Sequence, residues 1–440
     1  MKKLVFAYLL LMLAGCTEVS LVESNDFPQI TPDYIGVTIP EDMADIRFRM
    51  CDGRPFKVSK IRRDSTIWIQ VSAWDKDTKL GTSYAPFPVY VSDDAIDPYI
   101  AYRLIEPGYE SWAEMGIYQR ELATYKEKAI ATNHINNKGC VNCHSFENKN
   151  PNHFLFHARG SGGGTVFING ESIEKIDLSS VGPMKQGTYP VWNPDGRYVA
   201  FSSNSTQQSF LLGGPQPIEV YDTASDLIIM DTQSGNILAD PRVCREDIME
   251  TFPGWSDDGK TLYYCAADSV QDVSHNRGRV HYKLMSISFS DGEFIGEPET
   301  IWEDREASAS FPRISGDWLL FTKSSFGTFP IWHKEADLVL INLKTGDVLD
   351  AEGLNSDDTE SYHSWSSNGK WVLFSSRRID SRYTRLFISH FDGNGNFSKP
   401  FLLPQKAPEL NDLRLKSYNV PEFIQGEVTV KQSALKELFK

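Results

Sequence analysis

Cysteine is scarce in this chain: there are six among 440 residues, Cys16, Cys51, Cys140, Cys143, Cys244 and Cys265. With Cys16 set apart by its position near the N-terminus, an odd five remain, which excludes a disulfide scaffold. Cations are short as well. Forty-four Lys and Arg face 59 Asp and Glu, for a formal net charge of −15. Nucleic-acid binding needs clustered cations to meet phosphates, so nucleic acid is excluded as a partner. No Gly-x-Ser-x-Gly elbow and no His-Glu-x-x-His helix occurs, which removes two common hydrolase signatures. The apolar run Leu4 to Leu13 is too short to cross a hydrocarbon core of ~30 Å as a permanent helix.

That run belongs to MKKLVFAYLLLMLAGC, which has a charged start, a short apolar core and small residues before Cys16. This is the pattern of a secretory signal. The Leu-Ala-Gly-Cys end resembles the lipobox of bacterial lipoproteins. The resemblance implies cleavage before Cys16, lipidation of Cys16 and anchoring in a membrane of the bacterial cell envelope, the outer membrane being favoured. Residues 17–27 then read as a tether.

Aromatics make up 12% of the chain, with 10 Trp, which points to a well-filled β-rich core. Four stretches align: YPVWNPDGRYVAFSSN (189–204), FPGWSDDGKTLYYCAA (252–267), FPRISGDWLLFTKSS (311–325) and YHSWSSNGKWVLFSSR (362–377). Each has an aromatic residue, a polar turn and an alternating apolar strand. The turn glycines Gly196, Gly259 and Gly369 suit a position needing positive φ. A second strand pair follows each copy, so one unit is four strands. Such units at a period of about fifty residues point to a β-propeller. The repeat resembles the Trp-Ser-Pro-Asp-Gly-Lys units of TolB-like propellers.

Residues 151–430 are assigned to the propeller and 431–440 to a C-terminal tail. A closing blade built from 154–178 and one C-terminal strand around 417–430 gives five blades, with six as the alternative. Residues 28–105 read as a small β-sandwich. In 106–150, Tyr109, Trp112, Met115, Tyr118, Leu122, Tyr125 and Ala129 recur every three or four residues, a helical spacing. The fold class expected is therefore mainly β, with a sandwich and a helix-plus-loop segment ahead of the propeller.

That loop carries NNKGCVNCHSF (136–146). Cys-x-x-Cys-His is the attachment signature of a c-type haem: two thiols meet the porphyrin vinyl groups and the next residue supplies an axial imidazole. The expectation is one haem c on Cys140 and Cys143, with His144 on the iron. His157 or Met184 is the candidate sixth ligand, followed by His134 and His153, and Arg159 is the candidate propionate partner. Rival readings are a zinc site of Cys140, Cys143, His153 and His157, or a Cys140–Cys143 disulfide. A Cys244–Cys265 disulfide is a separate candidate, with Cys51 left free and buried.

IAYRLIEPGYESWAEMGIYQREL, GCVNCHSF, FHARGSGGGT and YPVWNPDGRYVAFSSN, in that order, resemble a group of TolB-like propeller lipoproteins from Bacteroidetes-type bacteria with a cytochrome c-like motif ahead of the propeller. The resemblance implies haem attachment on Cys140 and Cys143 and ligation by His144. Three functions are then weighed. The first is an anchored haem protein that passes electrons to a redox partner, with the propeller as docking platform. The second is a non-haem binding lipoprotein for a protein, peptide or glycan, with a structural Cys-x-x-Cys. The third is a propeller hydrolase or lyase using Asp222, Asp226, His281, His363 or Arg377.

Overall fold

A computed structural model describes residues 19–106, 114–160, 162–176, 178, 187–211 and 216–440. The signal segment with Cys16, Met184, and Tyr109 and Trp112 of the expected helix lie outside these residues.

Six four-stranded antiparallel sheets follow one another around a ring. Blade one pairs the C-terminal strand Ser417–Ile424 with Tyr99–Ile105, then Gly116–Glu121 and Glu127–Thr132. Blades two to six start on the inner strands Val141–Phe146, Thr188–Trp192, Ile248–Trp255, Ser308–Ser315 and Glu360–Trp365. Each inner strand neighbours the next, and the last of them, Glu360–Trp365, meets Ser417–Ile424. Ser417–Ile424 in turn meets Val141–Phe146, which closes the circle. Closure matters because a blade buries its faces only against two neighbours.

All six inner strands share one local geometry. Each carries a β-bulge that shifts the register by one residue. The bulged residue has positive φ in every blade: Val420 (46°), Cys143 (50°), Tyr189 (48°), Phe252 (51°), Phe311 (54°) and Tyr362 (45°). Proline follows it in four blades, as Pro190, Pro253, Pro312 and Pro421. A bulge leaves a residue unpaired, so proline's missing N–H costs nothing there. Three positions beyond the bulged residue stands Trp in three blades, and its indole staples the ring. Nε1 of Trp192 donates to Ser145 O at 3.1 Å, that of Trp255 to Val191 O at 3.3 Å and that of Trp365 to Arg313 O at 3.1 Å, each in the preceding blade. The turn glycines Gly196, Gly259 and Gly369 have φ of 73°, 69° and 65°, as the repeat requires.

Several expectations are corrected. The ring has six sheets, the alternative to the five favoured from the sequence, because 154–178 does not share a blade with the C-terminus. It belongs to blade two, whose inner strand is the Cys-Val-Asn-Cys-His segment itself. The helix expected from 109 is absent among the described residues, where Gly116–Glu121 and Glu127–Thr132 form a hairpin. Both faces of the first strand are covered, and even Gln119 and Arg120 are buried. Alternation is therefore lost and the apolar spacing mimics a helix. The propeller begins at Tyr99, not at 151.

Instead of a sandwich, the N-terminal part is a six-stranded mixed sheet with a two-stranded ribbon, Ile30–Thr31 with Arg49–Met50. It packs on blades one and six through one core that holds Tyr34, Phe87, Trp371, Phe401, Tyr418 and Phe423. The tether expected over 17–27 contains a strand, Ser20–Glu23, paired in parallel with Leu80–Ser83. The tail is no loose end either. Gln119 exchanges two hydrogen bonds with the Val428 backbone, at 2.7 and 2.8 Å, and helix Gln432–Glu437 buries Leu435 against Ile130 and Ile135.

Phe423, fully buried on the closing strand, should be costly to truncate. We expect Phe423→Ala to lower unfolding stability by about 3–5 kcal/mol in urea denaturation. The exposed Phe210→Ala should change it by no more than ~0.5 kcal/mol.

Candidate functional site: the central channel

The bulged residues point their side chains toward the ring axis and form a collar. Tyr189, Phe252, Phe311 and Tyr362 make a continuous aromatic arc with successive centroid distances of 4.6, 4.0 and 5.0 Å. Blades one and two contribute the small Val420 and Cys143 instead. A cavity of about 430 Å³ runs along the channel beside them, lined on one side by Cys143, His144, Tyr189, Tyr362 and Val420.

The alignment of inner strands explains the cysteine-histidine motif. Asn142-Cys143-His144-Ser145-Phe146 occupies the positions of Thr188-Tyr189-Pro190-Val191-Trp192 and of Asn419-Val420-Pro421-Glu422-Phe423. Cys143 thus stands in for a collar aromatic and His144 for the bulge proline. His363 makes the same replacement in blade six, where its Nε2 donates to Leu320 O at 2.8 Å.

This placement overturns the haem expectation. Among the described residues no cluster of three or more His, Cys, Asp and Glu is arranged to hold a metal ion. Cys140 is buried just ahead of an extended strand and Cys143 sits on a bulge. The His144 ring packs edge-on to Phe146 at 6.1 Å with its side chain 1% exposed, at the bulge-proline position of an inner strand. His157 Nδ1 bonds Thr165 Oγ1 at 3.1 Å. His134 is exposed on the short 3-10 helix Asn133–Asn136, and His153 lies 3.6 Å from Glu147. The same lack of a cluster removes the zinc reading. Arg159 lines the channel and has no propionate to pair with. The five cysteines of the described residues are free, including Cys140, Cys143, Cys244 and Cys265, and Cys51 is exposed rather than buried.

The other polar candidates do not converge. Asp222 accepts hydrogen bonds from Asn204 and Thr206, each at 2.7 Å. Burial pushes the Asp222 and Asp226 carboxyls up to about 6. Arg377 lies 3.4 Å above the Trp332 ring and His281 sits before blade four's third strand. These residues are spread over blades three, four and six.

The structure brings together a set of which the motif search singled out only Arg159. Arg103, Arg159, Arg313 and Lys149 line the channel with Asp257 and Glu422. Burial and the nearby Arg103 guanidinium pull the His144 imidazole down to about 3, so it is neutral. Its Nε2 lies 3.5 Å from Glu422 Oε1. Neither ring nitrogen has a partner within good hydrogen-bond geometry, although the Val420 backbone acts on the ring, so the approach to Glu422 is an electrostatic contact at most. Burial raises the Glu422 carboxyl to about 7, against the opposing pull of the Phe146 N–H, Arg313 and Lys149. Glu422 could have been found from the repeat alone, since it is the closing strand's copy of the position after proline.

No family model matches the chain. Among curated proteins, an uncharacterized peptidase, YuxL, of Bacillus subtilis is 23% identical over 197 residues. The match covers 45% of this chain and 23% of that protein, so the chain spans less than a quarter of that relative's length. Among solved structures, a putative TolB from Agrobacterium tumefaciens superposes with a TM-score of 0.44 at 14% identity, over 75% of this chain and 99% of the other. An oligogalacturonate lyase in complex with manganese gives 0.39 at 10% identity, over 79% and 72%. The β-propeller domain of the trilobed protease from Pyrococcus furiosus gives 0.36 at 12% identity, over 80% and 98%. The neighbours include TolB-like propellers, and this chain is a mainly β propeller-type protein by its own strand order.

Two outcomes are expected. Produced in a host with working cytochrome c maturation, the protein should show an intact mass with no added tetrapyrrole, and no Soret band. A second test concerns Glu422, whose raised carboxyl takes up a proton on folding. The stability it lends is full below its ordinary value of 4.5 and lost as the pH rises through about 7. Glu422→Gln should therefore gain melting temperature relative to the native chain as the pH goes from about 5 to about 8. The opposite slope from His144 is common to both proteins and cancels.

Proposed function

We propose that this chain is an exported, lipid-anchored propeller that binds its ligand in the central channel. The observation that carries the reading is the cavity beside Cys143 and Val420, where buried polar atoms stand without partners. His144 Nδ1 and Nε2, Asn142 Oδ1 and Arg103 Nε are all in this state. A buried polar group without a partner costs ~1–3 kcal/mol, and a bound ligand removes that cost. Concave sites with a few converging polar groups on apolar walls are the usual form of small-molecule sites, and about 430 Å³ falls within their ~300–1,000 Å³ range.

Anchoring rests on the lipobox at Cys16. The first described strand starts at Ser20, so the lipid lies within roughly 14 Å of the N-terminal sheet along the chain. The propeller would be held close to the bilayer rather than on a long leash. Several acyl chains, at ~0.8 kcal/mol per buried CH₂, give stable attachment. The outer membrane of the cell envelope is the proposed site. Electron transfer is not part of this reading, since it requires the haem.

Cys16→Ser should move the protein from the membrane fraction to the soluble envelope fraction and abolish radiolabelled palmitate incorporation. Retention in the membrane fraction with the serine in place would refute the anchor. Cys51→Ser should leave ligand binding intact, because Cys51 is exposed and does not line the cavity.

A further inference from the structure

The channel is a cationic spot in an acidic protein. Of the ionised side chains lining the cavity, four are cations, Arg103, Lys149, Arg159 and Arg313. The acids are Asp257 and Glu422, and Glu422 is held partly protonated near neutral pH. The chain as a whole carries −15. Among the described residues none of the four cations forms an ion pair, although Arg and Lys elsewhere in the fold do so repeatedly. Arg103 donates only to the Asn419 amide oxygen, at 2.9 Å, and its Nε is unused. The Arg159 side chain is exposed.

Position separates these groups into two ends. Arg103 and Arg159 both bear on the Cys140 thiol, lowering it against burial. Arg159 also bears on the Tyr189 hydroxyl and Arg103 on the Tyr362 hydroxyl. Both residues line the cavity: Arg159 N donates to Cys140 O at 2.8 Å, and Arg103 pairs with Asn419, the residue before Val420 of the collar. Arg313, Lys149 and Glu422 influence one another and form the second end, where the carboxyl offsets the cations. Beside the first end lie the Asn142 Oδ1 acceptor and the neutral His144 ring, each more than nine-tenths buried and unpartnered.

Resting on the channel-binding reading above, we propose that the cavity takes a small organic carboxylate bearing a neighbouring hydroxyl. Arg103 and Arg159 hold its carboxylate, Asn142 accepts from its hydroxyl, and its apolar part lies on the Tyr189–Tyr362 side of the collar. Guanidinium is the group that matches a planar carboxylate with parallel hydrogen bonds. A dianion such as phosphate is disfavoured, since the acids Asp257 and Glu422 line the same cavity. The site's positive potential also draws a monoanion past an otherwise repelling surface.

Mandelate, which has the carboxylate, the hydroxyl and an aromatic body, is the probe. Its titration into the full-length mature protein in detergent is followed by calorimetry, beside mandelamide, 1-phenylethane-1,2-diol and inorganic phosphate. Saturable mandelate binding is expected, at least ~10-fold tighter than that of mandelamide. Arg103→Met and Arg159→Met should each weaken mandelate by ~10-fold or more, while the surface change Lys60→Met leaves it unaltered. As a second readout, mandelate should slow iodoacetamide alkylation of Cys143 in the native sequence, scored by peptide mass, without slowing that of the exposed Cys51. Equal binding of acid and amide, tighter binding of phosphate, or unchanged affinity in both arginine variants would overturn the proposal. Protection of Cys143 by the neutral diol alone would overturn the carboxylate assignment and leave the channel reading standing. No protection by any probe would count against both.

Discussion

Everything in this fold depends on one seam, the pairing of Ser417–Ile424 with Tyr99–Ile105. The two strands are more than three hundred residues apart, so loop-closure entropy must be overcome before the pairing returns anything. The return is large because six sheets then bury both faces at once. The seam is also the most reinforced part of the ring. On one side the N-terminal sheet reaches blade six through Trp371 Nε1, which donates to Asp94 O at 3.1 Å, and through the His390–Asp94 pair at 2.6 Å. On the other, the Gln119–Val428 amide pairing and the C-terminal helix clamp the chain that leaves the closing strand.

The bulge repeated in six inner strands links this architecture to the site. It turns one side chain per blade inward, so the channel's contents are set by six residues. Four aromatics fill most of it. Two small side chains from blades one and two leave the rest open, next to the seam. Burial in that gap decides the chemistry: it keeps His144 neutral and raises Glu422, while Arg103 and Arg159 meet no carboxylate among the described residues. A ring that closes with its own two ends thus also positions groups from both ends, Arg103 and Glu422, around one cavity.

The repeat was legible because Pro, Trp and the Asp-Gly or Asn-Gly turn each answer to a backbone need of the inner strand and its hairpin. Where those residues are replaced, the reading failed. Blade two has Cys and His where blades three, four and five have an aromatic and Pro, so it resembled a haem site more than a strand. Blade one is split between the chain's ends, and its middle strands are covered on both faces, which erased the period of two and left a helical one in 115–129. Arg103 gave no local signal at all. It sits in a plain strand, and only the ring brings it to Cys143. Glu422, by contrast, could be read by aligning SYNVPEF to the other copies.

The central claim is that Val141–Phe146 is an inner propeller strand rather than a cofactor-binding loop. Native-state hydrogen exchange tests it directly, since ladder amides at the heart of a ring open only with the whole fold. The account predicts that the amides paired in this strand exchange as slowly as those of Thr188–Trp192 and Ser417–Ile424. Rapid exchange confined to 140–146, with the other inner strands protected, would contradict it.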